Sequence, residues 1–187
     1  MIVDDLKEVC HEFRKAGIDY VVVGGAAIER HYSIGTLDID VAIALRDYKI
    51  VLEKLAAHPR VRELDDVGTM AGCKFRVGTR WIDVEVINPK LFSGKLPPDH
   101  FIDYVKRHRS EQTEVGPCAT AGVVWYMRLA IPDWQIYVQK ILRDFKAGVP
   151  EDTLDEALEI AEHFGIREVI EPRVRQGRDM IELAKHR

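Results

Sequence analysis

The order of apolar and polar residues divides the first half of the chain into short strands and amphipathic helices. A helix is predicted over 4–16, where apolar residues recur three and four positions apart and Gly17 provides a stop. Two short apolar runs, "DYVVVGG" and "LDIDVAIAL", predict buried strands, and "AAIERHY" between them predicts a short helix. The pattern then predicts a helix for "RDYKIVLEKLAAH" and two neighbouring strands for "CKFRV" and "WIDVEVI", on either side of "GTR".

The second half of the chain predicts mainly helices. "FSGKLPPDH" is the best candidate for a boundary, near residues 93–100, because it holds two prolines and a glycine. "AGVVWYMRLAIP" predicts one more strand, in the core or at an exposed edge that pairs with a second copy. A helix follows over 134–146, and Thr153 with Glu156 forms a capping box that opens another. We therefore expect an α/β (α+β) protein with a core over 1–97 and a mostly helical part over 98–187, packed on that core.

Composition excludes several classes of protein. The formal net charge is -4, so the chain lacks the basic excess of a protein that grips nucleic acid or an anionic membrane by charge alone. Its three cysteines are far apart and its seven histidines show no zinc-ligand spacing, which favours a reduced cytoplasmic setting. No apolar run approaches the ~18 residues of a membrane span, and the N-terminus has no signal-peptide pattern.

Two acidic pairs lie inside apolar runs, where carboxylates are costly unless a positive group lies beside them. Residues i and i+2 of a strand share a face, so Asp38 and Asp40 point the same way, as do Asp83 and Glu85. Carboxylates on stiff strands are the hard oxygen ligands that Mg²⁺ prefers. Three of them are enough to hold two ions ~3.5–4 Å apart for phosphoryl transfer. The spacing therefore predicts a magnesium site.

The glycines at the end of the first strand predict a phosphate-binding turn. Gly24 and Gly25 have no side chains to keep a ligand away from the backbone, and a helix begins directly after them. A GxGxxG fingerprint is missing, and "GTMAGCK" has the wrong spacing for a P-loop. A plain strand-to-helix turn also explains two glycines, so the prediction depends on the acidic pairs nearby.

In combination these motifs resemble the DNA polymerase β-type nucleotidyltransferase superfamily. The matching residues are "VGG", then "LDIDV", with Asp38 a short distance beyond the glycines, and a later "IDV". The chain looks most like the short bacterial and archaeal members, including those similar to abortive-infection toxin nucleotidyltransferases. The resemblance covers residues 18–88 well and 133–165 loosely, where Lys140 and Asp155 match a helical Lys followed by an Asp-bearing helix.

The resemblance implies a nucleotidyltransferase-like mixed twisted sheet with flanking helices. It also implies Mg²⁺- or Mn²⁺-dependent transfer of a nucleoside monophosphate from an NTP such as ATP to an acceptor hydroxyl, with release of pyrophosphate. By the same resemblance, Asp38, Asp40 and Asp83 are the catalytic metal ligands, and Asp83 takes the acceptor's proton. Gly24, Gly25, Thr36 and Lys140 bind the nucleotide.

The chain departs from the family pattern at one position. Many short members carry an Arg four residues before the first Asp, where this chain has Ile34. Arg30 or Lys140 is a candidate for the missing charge, although Lys140 lies off the apolar stripe of its helix and is equally explained as a surface lysine. Asp155 is equally explained as a favourable charge at a helix N-terminus. Asp83 fits the third-carboxylate motif better than Glu85, which shares its face.

Several functions fit these residues. The acceptor of a nucleotidyltransferase is RNA such as tRNA, a protein or a small molecule, and the expected protein partner is an antitoxin of a toxin–antitoxin pair or a second copy. The alternative is a catalytically inactive nucleotide- or partner-binding module with the same fold. A two-metal phosphodiesterase or nuclease is a third reading, which the glycine turn disfavours because it suits a triphosphate better than a diester.

Overall fold

The computed structural model of the protein describes residues 2–36, 38–68, 71–77 and 83–186, and for residues 2–6 and Asp83 it describes the backbone alone. Its strands are β1 (Tyr20–Val23), β2 (Ile39–Ile43), β3 (Val61–Asp66), β4 (Cys73–Val77), β5 (Asp83–Ile87), β6 (Ser110–Thr113) and β7 (Gly116–Ala119). Its α-helices are α1 (Ile2–Lys15), α2 (Gly24–Glu29), α3 (Tyr48–Ala57), α4 (Pro98–His108), α5 (Ala121–Ala130), α6 (Gln135–Lys146), α7 (Thr153–His163) and α8 (Arg167–Lys185).

These strands form one mixed sheet in the order β3-β4-β5-β2-β1-β7-β6. The β1–β2, β3–β4, β4–β5 and β6–β7 pairs are antiparallel, whereas β2–β5 and β1–β7 are parallel. The expected α/β (α+β) class, a mixed sheet with flanking helices and a largely helical second half, is confirmed. The predicted division at residue 97 stays a prediction, and residues beyond it supply β6 and β7 to the sheet.

Strand alternation gives the sheet two buried faces. On one face Val22 and Val41 pack with residues of α1 and α3 such as Phe13 and Leu55. On the other face Val21 and Ala42 pack with the helices of the second half. Because Asp40 precedes Val41 by one position, the acidic pair of β2 lies on the face that the later helices cover. The alternation of β2 therefore decides which helices meet its carboxylates.

The strand predicted for "AGVVWYMRLAIP" is wrong, because this segment is α5. Eight consecutive residues of the helix, 122–129, are buried. A helix that is apolar on all sides shows no 3.6-residue periodicity, so its sequence cannot be told from that of a core strand. The helix ends at Ala130 because Ile131, before Pro132, is extended with ψ of 151°.

The capping box predicted for α7 is also wrong. Thr153 is the first residue of the helix, and its N-cap, Asp152, makes no side-chain capping hydrogen bond. Glu156 instead accepts a hydrogen bond from Thr120 Oγ1 at 2.6 Å and lies 3.6 Å from Arg109. The acid therefore ties α7 to the end of the β6–β7 hairpin.

The other predicted elements are present, β4 with the predicted bounds and the rest with shifted bounds. The predicted turn "GTR", Leu37 and the residues Trp81 and Ile82 lie outside the described residues. The three cysteines are free and buried. In the described part of the chain, no helix has both the length and the apolar character needed to cross a bilayer.

Candidate functional site

A cleft of about 460 Å³ lies between the sheet and the helices of the second half. This volume is in the range of small-molecule sites. One wall carries acidic residues of β2 and β5, and the opposite wall carries residues of α5 and α6. Most of the residues predicted for the site line it, namely Gly24, Gly25, Thr36, Asp38, Asp40 and Lys140.

The acidic wall consists of Asp38, Asp40 and Glu85. Asp40 and Glu85 are direct neighbours in the parallel β2–β5 ladder, so their side chains lie on the same face. Asp38 precedes β2 and is exposed, whereas Asp40 is half-buried. Glu85 also forms an ion pair with Lys74, its partner across β4 and β5.

The side chain of Asp83, the predicted third carboxylate, lies outside the described residues. Its backbone begins β5, two positions before Glu85, and pairs with Arg76. The choice between Asp83 and Glu85 as the third carboxylate therefore stays open, with Glu85 the member of the pair that is seen in the cleft.

Asp40 carries an electrostatic penalty. Burial raises its pKa from 3.8 to about 6, and the negative charges of Glu85 and Asp38 add to the effect. Lys140 and Arg128 across the cleft lower the pKa but do not cancel the increase. The cleft thus favours a positive charge beside Asp40, which a proton or a cation can supply.

The two glycines lie directly against the site residues. Gly24 has φ of +63°, and a Cβ on it would overlap the Asp40 carboxylate. A Cβ on Gly25 would overlap the Thr36 hydroxyl. Glycine is thus required at 24 by the backbone conformation and at both positions by close packing. In this structure the space beside each glycine is filled by a side chain of the protein.

Glu29 holds the loop that carries Thr36. Its Oε2 accepts hydrogen bonds from the backbone N–H groups of Ile34 and Gly35, each at 2.8 Å. Ile34 itself is buried in the core on the helical face of the sheet. The position at which the resemblance predicts an Arg therefore holds a core side chain.

The basic wall consists of Arg128 from α5 with Lys140 and Arg143 from α6. The face of α6 that bears Lys140 and Tyr137 meets the cleft, and the Lys140 ammonium lies 5.0 Å from the centre of the Tyr137 ring. Of the two readings of Lys140, its placement matches the one in which this helix face lines the cleft. The side chain is nevertheless exposed, which leaves it free to reach a ligand.

Arg128 is fixed by a buried acid behind it. Asp144, fully buried, accepts hydrogen bonds from Arg128, from Trp125 Nε1 at 3.1 Å and from Arg143 Nη2 at 3.1 Å. Burial lowers the pKa of the Arg128 guanidinium, and Asp144 opposes this effect. An arginine side chain stays protonated in proteins, so this wall holds a permanent positive charge.

Two predicted candidates lie elsewhere. Arg30 does not line the cleft, and its Nη1 lies 3.5 Å from Glu111 of β6. Asp155 forms an ion pair with Arg178 of α8 in the first turn of α7, where a negative charge is favourable. Of the two residues proposed to replace the charge at position 34, Lys140 lines the cleft, together with Arg128 and Arg143, and Arg30 does not.

Sequence reasoning missed Arg128, Arg143 and Asp144. Arg128 is hidden in the apolar run that predicts a strand, and Asp144 in an amphipathic helix where an acid is expected to be solvated. A polar residue within an apolar run was the available signal for Arg128, and it is the same signal that identified Asp38 and Asp40.

The donor chemistry of the acidic wall fits a divalent cation. The carboxylates offer hard oxygen atoms, and burial, together with the charges of Glu85 and Asp38, raises the pKa of Asp40, so that a cation beside it would be favourable. The described side chains do not by themselves bring three His, Cys, Asp or Glu close enough to enclose a metal ion. A cation here would be held by Asp38, Asp40 and a carboxylate of β5, with the rest of its shell open to substrate or water.

Comparison with known proteins adds little. No protein-family model and no curated protein sequence matches the chain. Among solved structures, the fold is similar to a solution structure of the antibiotic-resistance factor ANT(2'')-Ia, with 12% sequence identity over 99% of this chain and 94% of that chain. The TM-score is 0.41, and a likeness at this level carries no argument about activity.

Proposed function

We propose that the protein is a nucleotidyltransferase that moves a nucleoside monophosphate from an NTP to an acceptor hydroxyl. The observation that carries this proposal is the cleft in which Asp38 and Asp40 face Arg128 and Lys140, with Gly24 and Gly25 beside them. An acidic wall suits a metal ion, and a basic wall suits the phosphate chain that the metal also contacts.

The proposed reaction forms a bond between the acceptor oxygen and the α-phosphorus of the NTP. The bond from the α-phosphorus to the oxygen that bridges to the β-phosphate breaks, and pyrophosphate leaves with that electron pair. The acceptor's proton passes to a carboxylate of β5, for which Asp83 is the proposed residue. Mg²⁺ or Mn²⁺, held by Asp38, Asp40 and Asp83, would neutralise charge on the phosphates and lower the pKa of the acceptor hydroxyl.

The chain's own residues are proposed to position the NTP and to neutralise the charge of its phosphates. Gly24, Gly25 and Thr36 are proposed to contact the β- and γ-phosphates through backbone N–H groups and the Thr36 hydroxyl. For this the side chains now packed against the glycines must yield some space. Lys140 is proposed to bind the phosphates from the opposite wall. Since phosphoryl transfer asks little covalent chemistry of a protein, positioning and charge would supply most of the rate.

The basic wall also favours this function over metal-dependent diester hydrolysis. A diester carries one negative charge per phosphate, whereas an NTP brings three linked phosphates. Arg128, Lys140 and Arg143 line one wall, and because Asp144 balances only one of these charges, the wall keeps a positive excess that suits the larger charge.

The test is transfer of label from α-³²P NTPs in the presence of Mg²⁺, total RNA and a cell extract. We expect label to enter RNA, protein or a small molecule with the wild-type protein and not with D38N/D40N. Asp65→Asn, which removes an exposed carboxylate from β3 outside the cleft, is the matched control and is expected to transfer normally. NTP binding without transfer would support the inactive module instead. Absence of both would overturn the proposal.

A further inference from the structure

Arg128 differs from every other residue of the buried run of α5. Positions 122–129 are all buried, and Arg128 is the charged member, with 7% of its surface exposed. A buried ion pair rarely stabilises a protein more than apolar side chains of similar size. The presence of Arg128 inside the apolar helix α5, paired with Asp144 of α6, is therefore not explained by stability.

The contacts of Asp144 hold the guanidinium in one position. Four donors from three residues converge on this carboxylate, one each from Trp125 and Arg128 and two from Arg143. Within the described part of the chain, Arg128 makes its side-chain hydrogen bonds to Asp144 alone. A guanidinium has five N–H donors, so most of its donors are not used by Asp144.

Arg128 is also part of the cleft lining. Its charge acts on Asp40 on the other wall. Its planar fork matches the geometry of phosphate oxygens, and a fork that is already fixed loses little conformational entropy when it binds. Lys140, exposed on the same wall, has the opposite character of a mobile point charge.

We propose that Arg128, held in place by Asp144, is the fixed cation of a polyphosphate subsite in this cleft, which Lys140 completes. The inference rests on the proposed nucleotidyl transfer, and it adds Arg128 to Lys140 on the α5–α6 wall as contacts of the NTP's phosphate chain, opposite the glycine turn. It also identifies a positive charge in a cleft that lacks the Arg predicted by the resemblance at position 34, where this chain has Ile34. Arg128 is thus a binding residue, and Asp144 is a positioning residue that acts through it.

The test is calorimetric titration with inorganic tripolyphosphate in the presence of Mg²⁺. We expect Arg128→Gln to weaken binding by about 10- to 100-fold, the range for loss of a charge-assisted contact. Arg128→Lys should recover part of the affinity, because it restores the charge without the fork. Arg30→Gln, which removes a guanidinium outside the cleft, is the matched control and should bind like the wild type.

A double variant separates binding from folding. Arg128→Gln alone leaves Asp144 buried without that partner and is expected to lower the melting temperature. R128Q/D144N removes both charges and should regain much of the stability while still binding tripolyphosphate weakly. If the double variant recovered the affinity together with the stability, Arg128 would be structural and the inference would be overturned.

The remaining outcomes distinguish the two proposals. If Arg128→Gln binds tripolyphosphate as tightly as the wild type, the polyphosphate subsite is elsewhere, and nucleotidyl transfer still stands on the labelling experiment. If the wild type binds neither tripolyphosphate nor any NTP with Mg²⁺, the proposed function fails and this inference fails with it.

Discussion

Gly24 lies against the carboxylate of Asp40, so closely that a methyl group on the glycine would overlap Oδ2. The two residues are brought together by the β1–β2 register, in which Val23, the residue before Gly24, pairs with Asp40. The glycine turn and the acidic strand are therefore one structural unit. The position of the Asp40 side chain depends on the absence of a side chain at 24.

Gly24→Ala is expected to displace Asp40 as well as to strain the backbone. Gly17 provides the control, because it has φ of +70° but no atom within 4 Å of the position that a Cβ would take. Gly17→Ala should cost roughly 1–3 kcal/mol of stability from backbone strain alone. Gly24→Ala should cost more and should also weaken Mn²⁺ binding, measured by calorimetry. Equal costs for the two variants, with Mn²⁺ affinity unchanged, would show that the contact is unimportant.

Asp40→Asn is expected to stabilise the protein at pH 7.5 by roughly 1–2 kcal/mol in the absence of metal. The folded protein raises the pKa of Asp40 from 3.8 to about 6, so the folded state binds a proton more tightly than the unfolded state. The wild type therefore gains stability as the pH falls from about 6 towards 4, and the advantage of the Asn variant should disappear over this window. Chemical denaturation at about pH 7.5 and about pH 4.5 measures both values.

Asp19→Asn is the opposite case and serves as the comparison. Lys106 and Arg46 lower the pKa of Asp19, so its carboxylate stabilises the folded state at neutral pH. This contribution is present above the unfolded pKa and is lost as the pH falls through the lowered value. The Asn variant should therefore be less stable than the wild type at neutral pH. Destabilisation by Asp40→Asn as well would refute the electrostatic account of the cleft.

Glu85 and Asp83 are expected to have different effects on transfer. We expect Asp83→Asn to abolish transfer, because Asp83 is the proposed base and a proposed metal ligand. Glu85→Gln should retain reduced activity, and the acidic limb of its pH–rate profile should move to lower pH, because the charge of Glu85 raises the pKa of Asp40. If Glu85→Gln lost activity and Asp83→Asn retained it, Glu85 and not Asp83 would be the base and metal ligand.

Lys140→Met is expected to weaken NTP binding about tenfold, because it removes one charged contact with the phosphates. Lys146→Met is the matched control on the same helix, since Lys146 is exposed and does not line the cleft. Fluorescence titration with a labelled NTP compares the two variants. Equal NTP affinities of the two variants would show that Lys140 is a surface lysine with no role in binding.

The sequence alone predicts those elements whose own apolar pattern shows that they are buried. β1, α2 and β2 could be predicted because β1 and β2 are short apolar runs and the two glycines mark the change from strand to helix. β3 was missed because this outer strand is largely exposed and rich in acids, with only Val61 and Leu64 packed against the core. β6 was missed for a similar reason, since its four residues "SEQT" are polar and half-buried or exposed.

The candidate site likewise has residues that could be predicted from the sequence and residues that could not. Asp38, Asp40 and the glycines were found because their spacing within 24–40 fixes their proximity. Arg128 and Asp144 are 16 positions apart on two helices, and their pairing depends on how α5 and α6 pack. No local pattern encodes that packing. The pairing of Arg128 with Asp144 could be found only once the helices were placed.

The strand order has a consequence for the synthesis of the protein. All strands of the described sheet, together with the whole acidic wall, are complete in the first 119 residues, whereas the basic wall begins at α5. A nascent chain leaving the ribosome therefore carries the carboxylates and glycines well before the cations that face them. Under the proposed function, an unfinished or truncated chain that ends before α5 therefore has no complete site.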